Sequence, residues 1–118
     1  MILGDKTAKI EKYAQKNKSA KLVPLLNDRK KDIRIKAIKA LATIGDDTSV
    51  NNLIIMLHDP DREIRLATIE GMAQMGNGVT KTHLQDYIEK ENDKELVEAA
   101  RKAIFSIAKQ IDPVEEMI

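Results

Sequence analysis

The chain repeats itself at a spacing of 31 residues, and a period of that size constrains the architecture before any local preference is weighed. Leu22-Val23-Pro24-Leu25-Leu26-Asn27-Asp28 returns as Leu53-Ile54-Ile55-Met56-Leu57-His58-Asp59. Ile33-Arg34-Ile35 and Ala40-Leu41-Ala42-Thr43-Ile44-Gly45 return as Ile64-Arg65-Leu66 and Gly71-Met72-Ala73-Gln74-Met75-Gly76. A unit of this length is one supersecondary element that cannot bury its apolar side alone, so neighbouring units must stack into a shared core. Arrays of this kind mostly present surfaces, which turns the functional question into one about faces and grooves.

Each unit reads as a pair of helices. In the second, Thr48 is the expected N-cap, and Val50, Leu53, Ile54 and Leu57 follow at helical spacing. Asp59-Pro60-Asp61 stops that helix, because proline cannot continue it and Asp suits the cap of the next. The second helix is expected from Arg62 to Met75, closed by Gly76-Asn77-Gly78. The first unit follows the same plan, exits through Gly45-Asp46-Asp47, and carries Pro24 where a mild kink is expected. Its second helix is apolar on two sides, with Ile33, Ala37, Ala40, Leu41 and Ile44 on one and Ile35, Ile38 and Ala42 on the other. Two stripes suit a helix sandwiched between its own partner and the next unit, and small residues at Ala40 and Gly71 admit close approach.

A degenerate third copy follows. Leu84, Tyr87 and Ile88 match Leu53, Met56 and Leu57 at 31, whereas Leu96, Ala99, Ala103, Ile104 and Ile107 match Ile64, Ala67, Gly71, Met72 and Met75 at 32. One residue is therefore inserted in the turn Lys90-Glu91-Asn92-Asp93, which lacks proline. A half-copy precedes the first unit, Ile10 and Tyr13 matching Leu41 and Ile44. The expected fold is all-α: a right-handed α-solenoid of one capping helix (6–17) and three helix pairs (19–47, 48–78 and 80–110), with a tail at 111–118, in a single domain over 1–118. The apolar end of that tail either folds over the last helix or contacts a second copy, so monomer and weak homodimer both stay open.

Without cysteine the chain has no disulfide framework, thiolate metal site or thiol nucleophile. No window approaches 18 consecutive apolar residues, and charge at Asp5 interrupts any signal-peptide core, so a cytoplasmic location is expected. Charge is uneven along the chain: residues 1–31 carry +6, 32–78 carry −2 and 79–118 carry −3.

These residues resemble a HEAT-repeat array, and within it the short HEAT-like repeats named after phycobilisome lyases. The carriers are the L-x-x-L-L-x-D helix end at Leu22–Asp28, the turn followed by Ile-Arg, and the helix ends Ala40–Gly45 and Gly71–Gly76. The resemblance implies an α-solenoid whose second helices line a concave face. It also implies that the turn Asp and helix Arg, Asp28 with Arg34 and Asp59 with Arg65, bond one repeat to the next. Deoxyhypusine hydroxylases resemble this architecture too and bind two irons through His-Glu pairs early in second helices. Here the corresponding positions are Ile35-Lys36, Leu66-Ala67 and Glu98-Ala99, which excludes di-iron chemistry on that alignment.

No catalytic constellation, cofactor site or metal site is expected. His58 and His83 are the only histidines and no third ligand presents itself beside them. The leading expectation is a non-catalytic scaffold module that holds a protein or peptide on the concave face, over Lys36, Lys39, Thr43, Glu70, Gln74, Lys102 and Ser106. The first alternative is an accessory or catalytic role of the lyase type. The second is anion binding by Lys6, Lys9, Lys12 and Lys16, which fall on one face of the capping helix. Against nucleic acid stands the lack of aromatic platforms for stacking, on which the bases of single strands and the pockets of HEAT-like DNA glycosylases depend.

Overall fold

A computed structural model describes residues 6–112. Among the described residues seven helices follow one another: α1 (Thr7–Gln15), α2 (Ser19–Leu22), α3 (Lys31–Ile44), α4 (Asp47–Met56), α5 (Arg62–Met75), α6 (Gly78–Lys90) and α7 (Lys94–Ile111), with a 3₁₀ segment at Val23–Asn27. They form two rows. The second helices stack in the order α1, α3, α5, α7, and the first helices α2, α4 and α6 lie against that row. The molecule measures 55 × 31 × 20 Å, its least dimension matching two helix layers of about 10 Å each. The array is an α-solenoid, and α1 stands in it as a half-repeat that buries Ile10 and packs on α3 as α3 packs on α5.

The two apolar stripes of the second helices are both used. Ile33, Ala37, Ile38, Ala40, Leu41 and Ala42 of α3 are all buried, as are Ile64, Ala67, Ile69, Gly71 and Met72 of α5. Each of these helices is covered by its own partner on one side and by the next unit on the other. Gly71 sets the closest approach: a Cβ there would lie 3.1 Å from Ala42 Cβ and 3.2 Å from Leu53 Cδ2. Leu22, Leu53 and Leu84, one per unit, are fully buried at the centre of the first-helix row.

Local chemistry departs from the sequence expectations at three turns. Pro24 does more than kink the first helix. Without an N–H it cannot bond the carbonyl of Ala20, and its ring crowds that carbonyl, so α2 ends at Leu22 and the chain rewinds as 3₁₀. The rewinding still buries Leu22 and Leu26. Thr48 does not cap α4; Asp46 does, accepting the Ser49 N–H at 2.9 Å from an extended backbone that leaves its carboxylate over the helix end. Gly78 does not close the second unit but opens α6, capped by Asn77 through the Val79 N–H at 2.8 Å. Gly76 alone, at φ +65°, ends α5, and Gly45 at φ +66° ends α3. The third unit's α7 runs through Ile111, so the expected tail loses its first residue to a helix, and residues 113–118 lie outside the described residues.

Candidate binding groove

Successive second helices are tied at their N-terminal ends by a charged ladder. Lys31 at the start of α3 reaches Asp61 at 3.2 Å and Glu63 at 2.9 Å. Arg62 at the start of α5 reaches Asp93 at 2.8 Å and Glu95 at 2.7 Å. Each acceptor Asp is also a helix cap: Asp61 accepts the Glu63 N–H, and Asp93 accepts those of Glu95 and Leu96. Doubled donors stabilise the charged forms. The hydrogen bonds that Lys31 donates to Glu63 and then to Asp61 hold its pKa above its usual value. The Arg62 guanidinium holds Asp93 below the usual carboxylate range, and the Glu63 N–H does the same for Asp61, with Lys31 adding to it. The signal for this ladder is in the sequence, as a cation at the first position of one helix and Asp-x-Glu at the start of the next.

The expected Asp/Arg joint is built differently. Arg34 donates to the backbone carbonyls of Asp28 at 2.7 Å and Arg29 at 3.3 Å, and Arg65 to those of Asp59 at 3.0 Å and Pro60 at 3.1 Å. Neither meets the Asp carboxylate, because each Asp side chain turns back to its own loop: Asp28 accepts the Lys30 N–H and Asp59 the Asp61 N–H. The arginines therefore brace their own turns. Only Arg65 also crosses to the next repeat, through Glu91 at 2.9 Å, and the Tyr87 hydroxyl donates to the same Glu91 oxygen at 2.6 Å. Burial and this bond push the Tyr87 pKa up to about 12. Burial works against the Glu91 charge, but the Tyr87 hydroxyl, the Asp93 N–H and Arg65 outweigh it and keep the carboxyl low. Arg34 has no such onward partner, since Pro60 stands one period before Glu91.

On the second-helix face the ladder ends and two equivalent depressions open. One, of about 580 Å³, lies between α5 and α7, with Ile69, Ala73, Ala99 and Ala103 as its floor and Glu70, Glu95, Glu98 and Lys102 around it. The other, of about 270 Å³, lies between α1 and α3, with Ile10, Ala14 and Ala40 beneath Lys36, Lys39 and Glu11. Lys36, Lys39, Thr43, Glu70, Gln74 and Lys102 are all exposed here and Ser106 half-buried, and the structure places them along one face. Adjacent helices also touch through them: Gln74 donates to the Thr43 hydroxyl at 3.5 Å, and Lys36 to the Thr7 hydroxyl at 2.8 Å. The face is thus cationic towards α1 and mostly acidic towards α7. Glu11, Glu95 and Glu98 are contributors that periodicity alone did not single out.

The lysine stripe of α1 loses its first member. Lys6 is the residue before the helix, and its ammonium bonds the Asp28 carboxylate, which is thereby held below its ordinary pKa. Lys6 therefore ties the capping helix to the first turn, while Lys9, Lys12 and Lys16 are exposed. His58, after α4, and His83, within α6, are both exposed. Among the described residues no three His, Asp or Glu side chains gather where they could hold a metal ion. No helix among them is long and apolar enough to cross a membrane.

The HEAT-repeat family matches residues 19–104, from the start of α2 into the middle of α7. The chain belongs to the HEAT-repeat family. A comparison with curated proteins finds no match. The matched span runs over α2 to α6 and the first part of α7, and α1 lies outside it. HEAT repeats commonly serve as protein-interaction scaffolds, and the fold is typically non-catalytic.

Proposed function

We propose that the second-helix face is a binding groove for a protein segment, with the α5–α7 depression as its anchor point. The observation that carries this reading is the make-up of that depression: an apolar floor of small side chains under charged residues that have no partner of their own. Glu70, Glu98 and Lys102 make no ion pair among the described residues, unlike Glu95, which Arg62 holds. An apolar floor supplies burial, and uncommitted charges at the rim supply register and specificity. Three units offer a small surface, so the affinity expected is modest and suited to a module that works beside others.

The test is capture of a partner by the full chain and by a variant with Lys36, Lys39, Glu70 and Lys102 all changed to Ala. A protein held by the parent chain in fixed stoichiometry, insensitive to nuclease and lost by the variant, supports the groove. Retention by the variant, with its helical content and Tm unchanged, refutes it. Binding that disappears with nuclease and weakens steeply with salt would transfer the role to Lys9, Lys12 and Lys16.

A further inference from the structure

The side of α7 turned away from α5 breaks the pattern of the array. In α3, Ile38 and Ala42 face the next unit, both lying within 4 Å of the space above Gly71. Two periods on, those positions are Arg101 and Phe105, and Lys31 and Ile35 correspond to Lys94 and Glu98. All four are exposed, Phe105 at 65%. Charges at two former apolar positions and a phenyl ring where the array uses alanine do not fit a further stacked HEAT unit, which needs small apolar contacts. A solvated cap accounts for the three charged residues, since terminal units carry a polar outer face, and leaves Phe105 as the one large apolar side chain of this stripe.

The spacing of these residues suggests what covers them. Positions 94, 98, 101 and 105 are separated by four, three and four residues, a stripe along one helix face that is symmetric about its own midpoint. When two copies of α7 meet antiparallel about a two-fold axis at that midpoint, 94 of one faces 105 of the other and 98 faces 101. Every facing pair is then complementary: Lys94 against the Phe105 ring, and Glu98 against Arg101, each twice. Lys109 lies 4.9 Å from the centroid of Phe105 and covers one face of the ring, which leaves the other for the second copy. Lys94, Glu98 and Arg101 have no ion-pair partner within the chain among the described residues.

We infer that the outer face of α7 is an interface with a second copy of this chain, antiparallel and two-fold, held by reciprocal Glu98–Arg101 pairs and by Lys94 on Phe105. The overlap spans about 17 Å of helix, so the interface lies at the small end of specific contacts and the dimer is weak. It shares Glu98 with the rim of the α5–α7 depression, whereas Arg101 and Phe105 do not line that depression, and its readout is self-association rather than partner capture.

Sedimentation velocity of the full chain from micromolar to millimolar concentration tests the inference. The parent chain should dimerise, less so as salt rises. Arg101→Glu should weaken dimerisation by roughly tenfold or more, because it replaces two attractions with two repulsions. Glu98→Arg combined with Arg101→Glu should restore it, and Phe105→Ser should weaken it at any salt. All four positions are exposed, so an unchanged Tm and far-UV spectrum are expected and exclude misfolding. A monomer at all concentrations overturns the inference, as does a dimer indifferent to Arg101→Glu or one that the double reversal fails to rescue. Loss of the dimer on removal of residues 113–118, with α7 intact, would overturn it too and assign the contact to the tail.

Discussion

Gly71→Ala puts the stacking of α5 on α3 under direct test. The new Cβ would sit 3.1 Å from Ala42 Cβ and 3.2 Å from Leu53 Cδ2, with Ile38 Cγ2 at 3.7 Å. Carbon pairs are most comfortable at about 3.5–4.0 Å, so two contacts are short by several tenths of an ångström. Ala42 Cβ is fixed to the backbone of α3, whereas the Leu53 contact is to the end of a fully buried side chain. Relief therefore requires α5 to move away from α3. Overpacking of this kind costs about 1–3 kcal/mol, whereas replacing a helix glycine by alanine returns about 1 kcal/mol. The net expectation is a loss of about 1 kcal/mol, or roughly 4 °C in Tm for a chain of this size.

A double-mutant cycle isolates the contact from the propensity term. Ala42→Gly in the parent should cost about 1 kcal/mol of helix preference, but in the Gly71→Ala background it also removes the opposing Cβ. The coupling should be about 1 kcal/mol, read from thermal and urea melts of the four proteins followed by far-UV circular dichroism. The next junction shows the alternative: with Ala103 and Ala73 at the corresponding positions, a depression remains between α5 and α7. Gly71→Ala should shift the α3–α5 junction towards that wider form. A Tm raised by the full propensity gain, together with additive effects at 42 and 71, would refute close packing as the reason for the glycine.

The other expectations concern charge. The carboxyls of Asp28, Asp46, Asp61, Glu91 and Asp93 are all held below their ordinary pKa. A depressed folded pKa stabilises above the unfolded value and is lost as pH falls through the folded one, so Tm should be flat down to about pH 5 and fall steeply below about 4. A Tm unchanged between pH 5 and 3 contradicts this. Tyr87, raised to about 12, gives the opposite sign: its contribution is present below about pH 10 and fades as pH rises towards the folded value. In a Tyr13→Phe background the phenolate absorbance of Tyr87 should accordingly appear well above pH 10 and coincide with loss of structure. Glu91→Ala removes the acceptor of both Tyr87 and Arg65 and should cost about 2 kcal/mol in a urea melt. Arg62→Ala should lower Tm measurably at low salt and less at high salt, while Lys94→Ala, at the equivalent position but without an ion pair among the described residues, should leave it unchanged at concentrations where the chain is monomeric.

Much of the fold was legible because burial repeats. Leu22, Leu53 and Leu84 recur at one period and are fully buried, and the two-sided apolar pattern of α3 and α5 is the direct sequence imprint of being sandwiched. Gly45 and Gly76 were legible for a separate reason, since a left-handed helix end leaves little other choice. What escaped was polar geometry within one turn. Asp46 and Thr48 are both good caps by type, and only the backbone angles decide that Asp46 sits at the helix end. The pairing of Asp28 with Arg34 failed similarly, because a guanidinium can satisfy two carbonyls as well as one carboxylate and the chain direction at the turn presents the carbonyls. The basic stripe of α1 was read from helical spacing alone, which cannot register that Asp28, distant in sequence, stands beside Lys6.

The division of charge between edge and face then bears on function. A helix N-terminus favours carboxylates, so Asp61, Glu63, Asp93 and Glu95 stabilise their own helices before they meet Lys31 and Arg62. Placing the inter-repeat ion pairs there puts them where the anions are needed anyway and leaves the middle of each second helix without structural ion pairs. Lys39, Glu70 and Lys102 occupy one repeat position in three successive helices, alternate in sign, and yet form no ion pair with one another. Their charges are not needed to hold the array together, so replacing them should alter binding and leave stability almost untouched. Ladder and groove are therefore separable by mutation: edge variants should move Tm with salt, face variants should move affinity, and a face variant that destabilised the fold would mean that these residues belong to the joint after all.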